Sequence, residues 1–399
     1  MLETAHAFID RAAHKLGISE DVVRQLKQAN HEHAFTITLK NGKSFQAYRV
    51  QHNDKLGPYK GGIRYHPNVS PDEIQTLATL MSFKTAAAGL PLGGGKGGVV
   101  VNPKALSEGE LEELSRKYAR YLQPRIGPHK DVPAPDVNTN AQIIDWMVDE
   151  YEAITGETDK ASFTGKSIAN GGSLGRDAAT GRGGVLALNE LFKLEKQDGK
   201  SITYAVQGYG NVGSFFAATA QSMQLKWRLV AASDSEVAVY DPQGLDAAAL
   251  QKFKEGGGRF KNYKGEQTIS NDDLLALDVD VLVLAGLEDS VTAENAASLK
   301  AKYVVEMANG PVTDDAFRKL TESGVIVVPD IIANAGGVIV SYLEWYQNLH
   351  GERWTVEKVN DELARYMVDA VKAMYGAAKR YNIDLKTAAF IIALQRLTK

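Results

Sequence analysis

Gly208-Tyr209-Gly210-Asn211-Val212-Gly213 follows an apolar run, Ile202 to Val206, and opens a segment of helical spacing that reaches Met223. A second apolar run, Leu229 to Ala232, ends at Asp234. Glycines at this spacing between a strand and a helix allow a tight turn, a close backbone approach to a pyrophosphate, and tight packing of helix on strand. The first amides of such a helix attract phosphate, and an acid about twenty residues further on can accept a ribose hydroxyl. A lone glycine triplet also marks ordinary turns. With both strands, the helix and the acid in place, the pattern predicts a dinucleotide site built from Gly208, Gly210, Asn211, Val212, Gly213 and Asp234.

The same strand and helix grammar continues outward from this stretch. Apolar runs at Val279 to Leu284, Tyr303 to Val305 and Val325 to Val328 predict further strands of a parallel sheet. Their ends carry Ala285-Gly286, Asn309-Gly310 and Asp330, and open sheets hold ligands at such ends. From Val338 to Leu397 the spacing is largely helical, with Trp345, Tyr346 and Trp354 read as core or subunit packing.

Before residue 200 the pattern differs. Ala34 to Leu39 and Ser44 to Gln51 read as strands joined by the turn Lys40-Asn41-Gly42-Lys43. A helix then has Ser70 as cap, Pro71 at its first position, Asp72 and Glu73 in its first turn and Gly89 at its end. Lys84 falls on its apolar stripe with Ile74, Leu77, Ala78 and Met81, either as a snorkelling stem or as an ammonium that meets an anion. In Leu90-Pro91-Leu92-Gly93-Gly94-Gly95-Lys96-Gly97-Gly98, one lysine stands among five glycines with apolar residues beyond. Such a run suits a sharp bend or a close ligand, and an ammonium held there loses hydration and acidifies. Lys96 is therefore the first catalytic candidate, a solvated turn lysine being the alternative. It is not a phosphate-binding loop, because Gly97 replaces the required Ser or Thr. After a short buried strand at Val99 to Val101 and a helix from Ser107 to Tyr121, the run Asp131-Val132-Pro133-Ala134-Pro135-Asp136 reads as a stiff extended loop. It can hold Asp136 in place for chemistry or merely shape a turn; Asp131 is read as structural.

The totals agree with this organisation. At 399 residues, two domains are expected. A net charge of -4 gives no general attraction to nucleic acid or anionic membrane, and the absence of cysteine removes disulfides and thiolate chemistry. No apolar run approaches the roughly eighteen residues of a membrane span. The start reads as a helix from Leu2 to Leu16 whose acidic Glu3 and Asp10 argue against a transit peptide, so a cytoplasmic location is expected.

Together, Pro58-Tyr59-Lys60-Gly61-Gly62-Ile63-Arg64-Tyr65, Lys84, the Lys96 segment, Asp136, the Gly208 fingerprint and Asn334-Ala335-Gly336-Gly337-Val338-Ile339-Val340-Ser341 resemble the Glu/Leu/Phe/Val amino-acid dehydrogenase superfamily, and its glutamate-specific members most. Asn170-Gly171-Gly172-Ser173-Leu174-Gly175-Arg176 and Ala179-Thr180-Gly181 are similar to that family's entry into its nucleotide domain. Met307 stands where members usually carry glycine, which bears on packing beside the cofactor.

The resemblance implies two α/β domains with a cleft between them. Residues 1–176 would form a substrate-binding and oligomerisation domain, with a terminal helix of about 366–399 packing back on it, and residues 177–365 a Rossmann-type domain for NAD or NADP. It implies reversible oxidative deamination of L-glutamate to 2-oxoglutarate and ammonia, water being excluded by domain closure, with no metal and commonly as a homohexamer. By the same resemblance, Lys96 would polarise or activate water and Asp136 would shuttle protons. Lys84 would hold the α-carboxylate, Lys60 and Ser341 the distal carboxylate, and Val338 would line the pocket. Thr180, Asn211, Asn309 and Asn334 would contact the cofactor, with Asp234 near its adenosine ribose. Taken alone, Lys60 reads as a solvated turn lysine and Ser341 as a helix cap. Two alternatives stand beside this reading: a leucine, valine or phenylalanine dehydrogenase, against which Lys60 argues, and a nucleotide-binding regulator without activity.

Overall fold

The computed structural model describes residues 2–399 without the side chains of residues 2–4, so Leu2 and Glu3 of the first helix lie outside the described side chains. The chain forms two compact units. One contains the segment through Arg176 with Val338–Glu362 and Phe390–Lys399; the other contains Asp177–Gly337 with Leu363–Ala389.

The first unit is built on five strands, β1 (His31–Thr38), β2 (Ser44–Asn53), β3 (Tyr59–His66), β4 (Gly94–Val100) and β5 (Asp131–Pro135), in the order β1-β2-β4-β3-β5. The expected hairpin is β1 and β2, in register from His31 opposite Gln51 to Thr38 opposite Ser44. The helix Pro71–Ala87 has the expected Ser70 cap, which accepts from the Glu73 amide, and Gly89 follows it at φ +74°.

Two local readings are corrected. The glycine run is not a bend but the strand β4, and none of its glycines has positive φ. Their purpose is close approach: a Cβ on Gly61 of the neighbouring β3 would lie 1.5 Å from the Gly95 carbonyl oxygen, and one on Gly94 would lie 2.2 Å from the Ser82 amide nitrogen. The Asp131 to Pro135 run is not a loop but β5, at the edge of the sheet, where missing proline amides cost no ladder bond.

Register sets what shares a face. Gly62 and Lys96 occupy matching positions on parallel β3 and β4, and Lys60 and Gly62 lie opposite Val132 and Ala134 of β5. Because side chains alternate, Lys60, Gly62 and Arg64, then Gly94, Lys96 and Gly98, then Asp136 beyond β5 belong to one face. The helix Pro71–Ala87 packs there, its Ile74 and Ala78 joining Val50 and Val69 in a small core. The opposite face carries the larger core, with Ile63, Tyr65 and Val99 against Leu114, Tyr118, Ile144 and Met147 of two helices, Glu108–Leu122 and Ala141–Thr155.

The second unit has β6 (Ile202–Gln207), β7 (Trp227–Ser233), β8 (Ala238–Tyr240), β9 (Gln267–Ile269), β10 (Val281–Leu284), β11 (Tyr303–Glu306) and β12 (Ile326–Val328). Their order is β12-β11-β10-β6-β7-β8-β9. The expected parallel strands are present, but the sheet is mixed: β8 and β9 extend it in antiparallel fashion. At three residues each they are too short to show alternation in sequence. The chain order reverses between β6 and β10, and the carboxyl ends of these strands are where such a sheet receives a ligand. Among the described residues no helix is long and apolar enough to cross a membrane.

Candidate active site

On the shared face of the first sheet, Lys96 Nζ lies 3.0 Å from Asp136 Oδ2, with Lys96 5% exposed. Arg64, two positions along β3 from Gly62, donates its Nε to the same oxygen at 2.8 Å and reaches Glu73 with its other end. Space for the aspartate comes from Gly62, whose Cβ would meet Asp136 Cβ at 2.7 Å. The Asp136 loop is fastened by Thr139, whose hydroxyl accepts from the Asp136 amide at 2.7 Å and donates to the Ile63 carbonyl at 2.8 Å.

Electrostatics follow from this geometry. Burial alone would raise the Asp136 carboxyl, but Lys96 and Arg64 override it and hold it at about 2. Burial lowers the Lys96 ammonium from its ordinary value, and Arg64 and Arg49 push the same way against the opposing pull of Asp136. A lysine so placed can supply or accept a proton nearer neutrality than a surface lysine can.

Lys60 is 1% exposed and donates to the Val132 carbonyl at 3.1 Å, so the solvated alternative is excluded. Burial, then Arg176 and Arg49, drive its ammonium well below the ordinary lysine value, only partly opposed by Glu344 and Asp131. Ser341, in the helix Gly336–His350, shares a hydrogen bond of 2.7 Å with Thr164 and accepts from Arg176 at 3.1 Å. It sits inside that helix rather than at its cap. One turn on, fully buried Glu344 accepts from Lys166 Nζ at 2.7 Å and from the Gly165 amide at 2.9 Å. Val338 lies half-buried in the first turn of the same helix. Lys84 occupies the last turn of Pro71–Ala87, half-buried, two residues beyond the Ser82 contact with Gly94.

Beneath this site, on the opposite face, Arg49 and Asp131 form a fully buried ion pair, and Gln51 donates to Asp131 at 2.8 Å. That accounts for Asp131 as structural. Sequence reasoning missed Arg64, Arg176, Thr164 and Glu344. Only Arg64 carried a signal, its alternation with Lys60 along β3.

In the second unit the three fingerprint glycines differ physically. Gly208 has φ +86°, and its Cβ would lie 2.5 Å from Gly286. Gly213 packs helix on turn, since its Cβ would lie 2.2 Å from the Gly208 carbonyl oxygen. Gly210 has nothing within 4 Å and is the N-cap of the helix Asn211–Ser222, with no side-chain cap bond. Open space before uncapped helix amides suits a pyrophosphate. At the end of β6, the buried Oε1 of Gln207 has no hydrogen-bond partner. These features fit a dinucleotide.

Asn334 donates to Asn309 Oδ1 at 3.1 Å, bringing two expected cofactor residues together, and Thr180 lies beside Gly337, whose Cβ would be 2.8 Å from its hydroxyl. Asn211 reaches the Asp177 carbonyl at 3.4 Å, and Val212 is half-buried in the same first turn. Asp234 already accepts from the amides of Glu236, Val237 and Phe260 and from Lys254, so both of its oxygens brace its own unit. Burial would raise that carboxyl, but those donors hold it at about 2. Met307 fills the space over Gly184, whose Cβ would lie 2.4 Å from its sulfur.

The arrangement can bind an anion beside a buried lysine and carboxylate, and can hold a dinucleotide. Comparison with known proteins concerns the chain as a whole. Residues 171–399 match the family model described as Glutamate/Leucine/Phenylalanine/Valine dehydrogenase, and residues 28–153 match the Glu/Leu/Phe/Val dehydrogenase dimerisation domain. The chain is 44% identical to a glutamate dehydrogenase of Thermotoga maritima, over 100% of this chain and 96% of that protein. It is 44% identical to an NADP-specific glutamate dehydrogenase A1 of Halobacterium salinarum, over 99% and 96%. Identity to an NAD-specific glutamate dehydrogenase of Clostridioides difficile is 41%, over 100% and 96%. The crystal structure of glutamate dehydrogenase from Peptoniphilus asaccharolyticus superposes with a TM-score of 0.88 at 38% identity, covering 100% of this chain and 97% of that one.

Proposed function

The chain belongs to the Glu/Leu/Phe/Val dehydrogenase family, and from that premise we propose which of its residues carry the reaction. It is an oxidoreductase, and its activity is the oxidative deamination of glutamate with NAD(P). Relatives of similar identity include both NAD-specific and NADP-specific enzymes.

Lys60 and Ser341 bind the distal carboxylate, Lys84 binds the α-carboxylate, and Val338 lines the space between. The carrying observation is the Lys96 to Asp136 contact of 3.0 Å, on the sheet face that also bears Lys60. Asp136 takes a proton from the substrate ammonium, so that a neutral amine is present when the Cα hydride departs. Lys96 then orients and activates the water that attacks the resulting imine, and Asp136 returns a proton to the nitrogen that leaves as ammonia. The nicotinamide supplies the hydride acceptor. Thr180, Gly208, Gly210, Asn211, Val212, Gly213, Asn309 and Asn334 hold it, with Asp234 near the adenosine ribose. The substrate and oligomerisation part comprises residues 1–176 with Val338–Glu362 and Phe390–Lys399, and the nucleotide part Asp177–Gly337 with Leu363–Ala389. The terminal return is therefore narrower than the expected 366–399, and the nucleotide part does not run unbroken to 365. Assembly as a homohexamer in the cytoplasm completes this reading.

The deciding experiment compares initial rates with glutamate and either NAD or NADP for the parent and for Lys96→Ala and Asp136→Asn. Each variant is expected to lose on the order of 10²–10⁴ in kcat, as removal of a positioned acid or base does. Parental turnover in either would end that residue's assignment.

A further inference from the structure

We propose that Arg64 is a positioning residue for the deamination, which fixes Asp136 through one oxygen so that the other alone exchanges protons with the substrate nitrogen. The proposal rests on Asp136 being the proton shuttle. Both cations meet the same atom: Arg64 Nε at 2.8 Å and Lys96 Nζ at 3.0 Å converge on Oδ2. Among the described residues no hydrogen bond reaches Oδ1, and the Asp136 side chain is 20% exposed. One oxygen is therefore saturated and the other is open.

Arg64 can act this way because it is itself held at two ends. Its side chain is 15% exposed, and its Nη1 pairs with Glu73 in the first turn of the helix over the sheet. A planar fork spanning two carboxylates keeps its orientation where a lysine would swing. The Asp136 backbone is tied to Ile63, the residue before Arg64, through Thr139. Arginine and aspartate are thus fixed to one stretch of β3, with Gly62 leaving the space for the carboxylate.

The charged groups around Asp136 are Arg64 from β3, Lys96 from β4, Glu73 through Arg64, and Arg49, which acts on Lys96 from β2. In the forward step Oδ1 accepts one proton from the substrate ammonium, leaving a neutral amine, and later returns one to the departing nitrogen. No electron moves in either transfer. Arg64 keeps its proton throughout, because its neighbours raise an already high value against the effect of burial.

The test uses the full-length enzyme with glutamate and saturating cofactor. Arg64→Ala is expected to lower kcat roughly tenfold or more with KM for glutamate within about twofold. The sign of the pH effect is fixed: with one of the two cations on Oδ2 removed and only Lys96 left there, the carboxyl holds its proton to higher pH, so the acid limb of the kcat profile should rise by on the order of one pH unit. Added guanidinium should recover part of the lost rate where equal sodium does not, and Arg64→Lys should retain more rate than Arg64→Ala. If Arg64→Ala folds poorly, Arg64→Gln, which keeps the stem and removes the charge, provides the second variant, with a loss of kcat and a shift of the same sign. An acid limb that stays in place, with kcat and melting temperature falling together and no recovery by guanidinium, would overturn the role. Asp136→Asn separates the two claims: if that variant is inactive while Arg64→Ala turns over like the parent, the positioning role fails and the shuttle stands, whereas an active Asp136→Asn removes both.

Discussion

At the residue scale, the role proposed for Lys60 bears on which amino acid this site accepts. A buried ammonium bonded to a carbonyl, and whose burial and neighbouring cations outweigh the pull of Glu344 and Asp131, is costly until a further carboxylate arrives. Glutamate supplies that carboxylate and an apolar amino acid does not. Lys60→Leu should therefore lower kcat/KM for glutamate by about a hundredfold to a thousandfold while raising it for norvaline or leucine. Initial rates across a substrate panel check this, and an unchanged preference for glutamate would remove Lys60 from the distal subsite. The residue's place was only half legible in sequence. Alone in a glycine-rich segment it looks solvated, and the strand pairing that buries it involves Val132, more than seventy positions away. The same distance hid Arg176 and Glu344, whose partners Ser341 and Lys166 lie 165 and 178 residues off.

At the scale of elements, the glycines of the turn after β6 should respond differently to the same small change. Gly213→Ala drives a methyl against the Gly208 carbonyl, and backbone cannot yield as a side-chain tip can. A loss of about 1–3 kcal/mol or more is expected, seen as a lower melting temperature without cofactor. Gly210→Ala adds a methyl into open space. Its melting temperature should match the parent's while KM for the cofactor rises, as the pyrophosphate site proposed there requires. Equal thermal losses in the two variants would contradict this division. The element was legible because turn, helix start and acid are close in sequence, each with its own local physics. The strand β4 was not, because a glycine run has no side chains to alternate, and β5 was obscured by prolines that only an edge position tolerates.

At the scale of the whole molecule, the chain relies on buried ion pairs as well as apolar cores: Arg49 with Asp131 and Lys166 with Glu344 in one unit, Lys386 with Glu306 in the other. None could be read from the sequence, since composition shows a balance of charges but not which of them leave water. Such pairs add little beyond what a well-packed apolar core would, yet breaking one strands a charge. Lys386 Nζ reaches both oxygens of fully buried Glu306 at 2.8 and 2.9 Å, and the Asp330 amide donates to one of them at 3.1 Å. Burial works against both charges. At Lys386 the pull of Glu306 and Asp330 more than compensates and raises it above the ordinary lysine value. At Glu306 burial, with Asp330, outweighs Lys386 and raises the carboxyl to about 7, so the pair is fully ionised only above neutrality. Lys386→Met should cost about 3–5 kcal/mol at pH 8. Its pH dependence follows from the stranded carboxyl, whose folded-state value lies above the unfolded value near about 4.3. With the lysine present that folded value is about 7 and without it higher still, so the charge penalty specific to the variant is absent below about 7 and grows as pH rises above it. The gap between the melting curves of parent and variant should therefore shrink as pH falls from about 9 to about 7. A gap that stayed constant over that range would show that the loss comes from packing of the lysine stem and not from its charge.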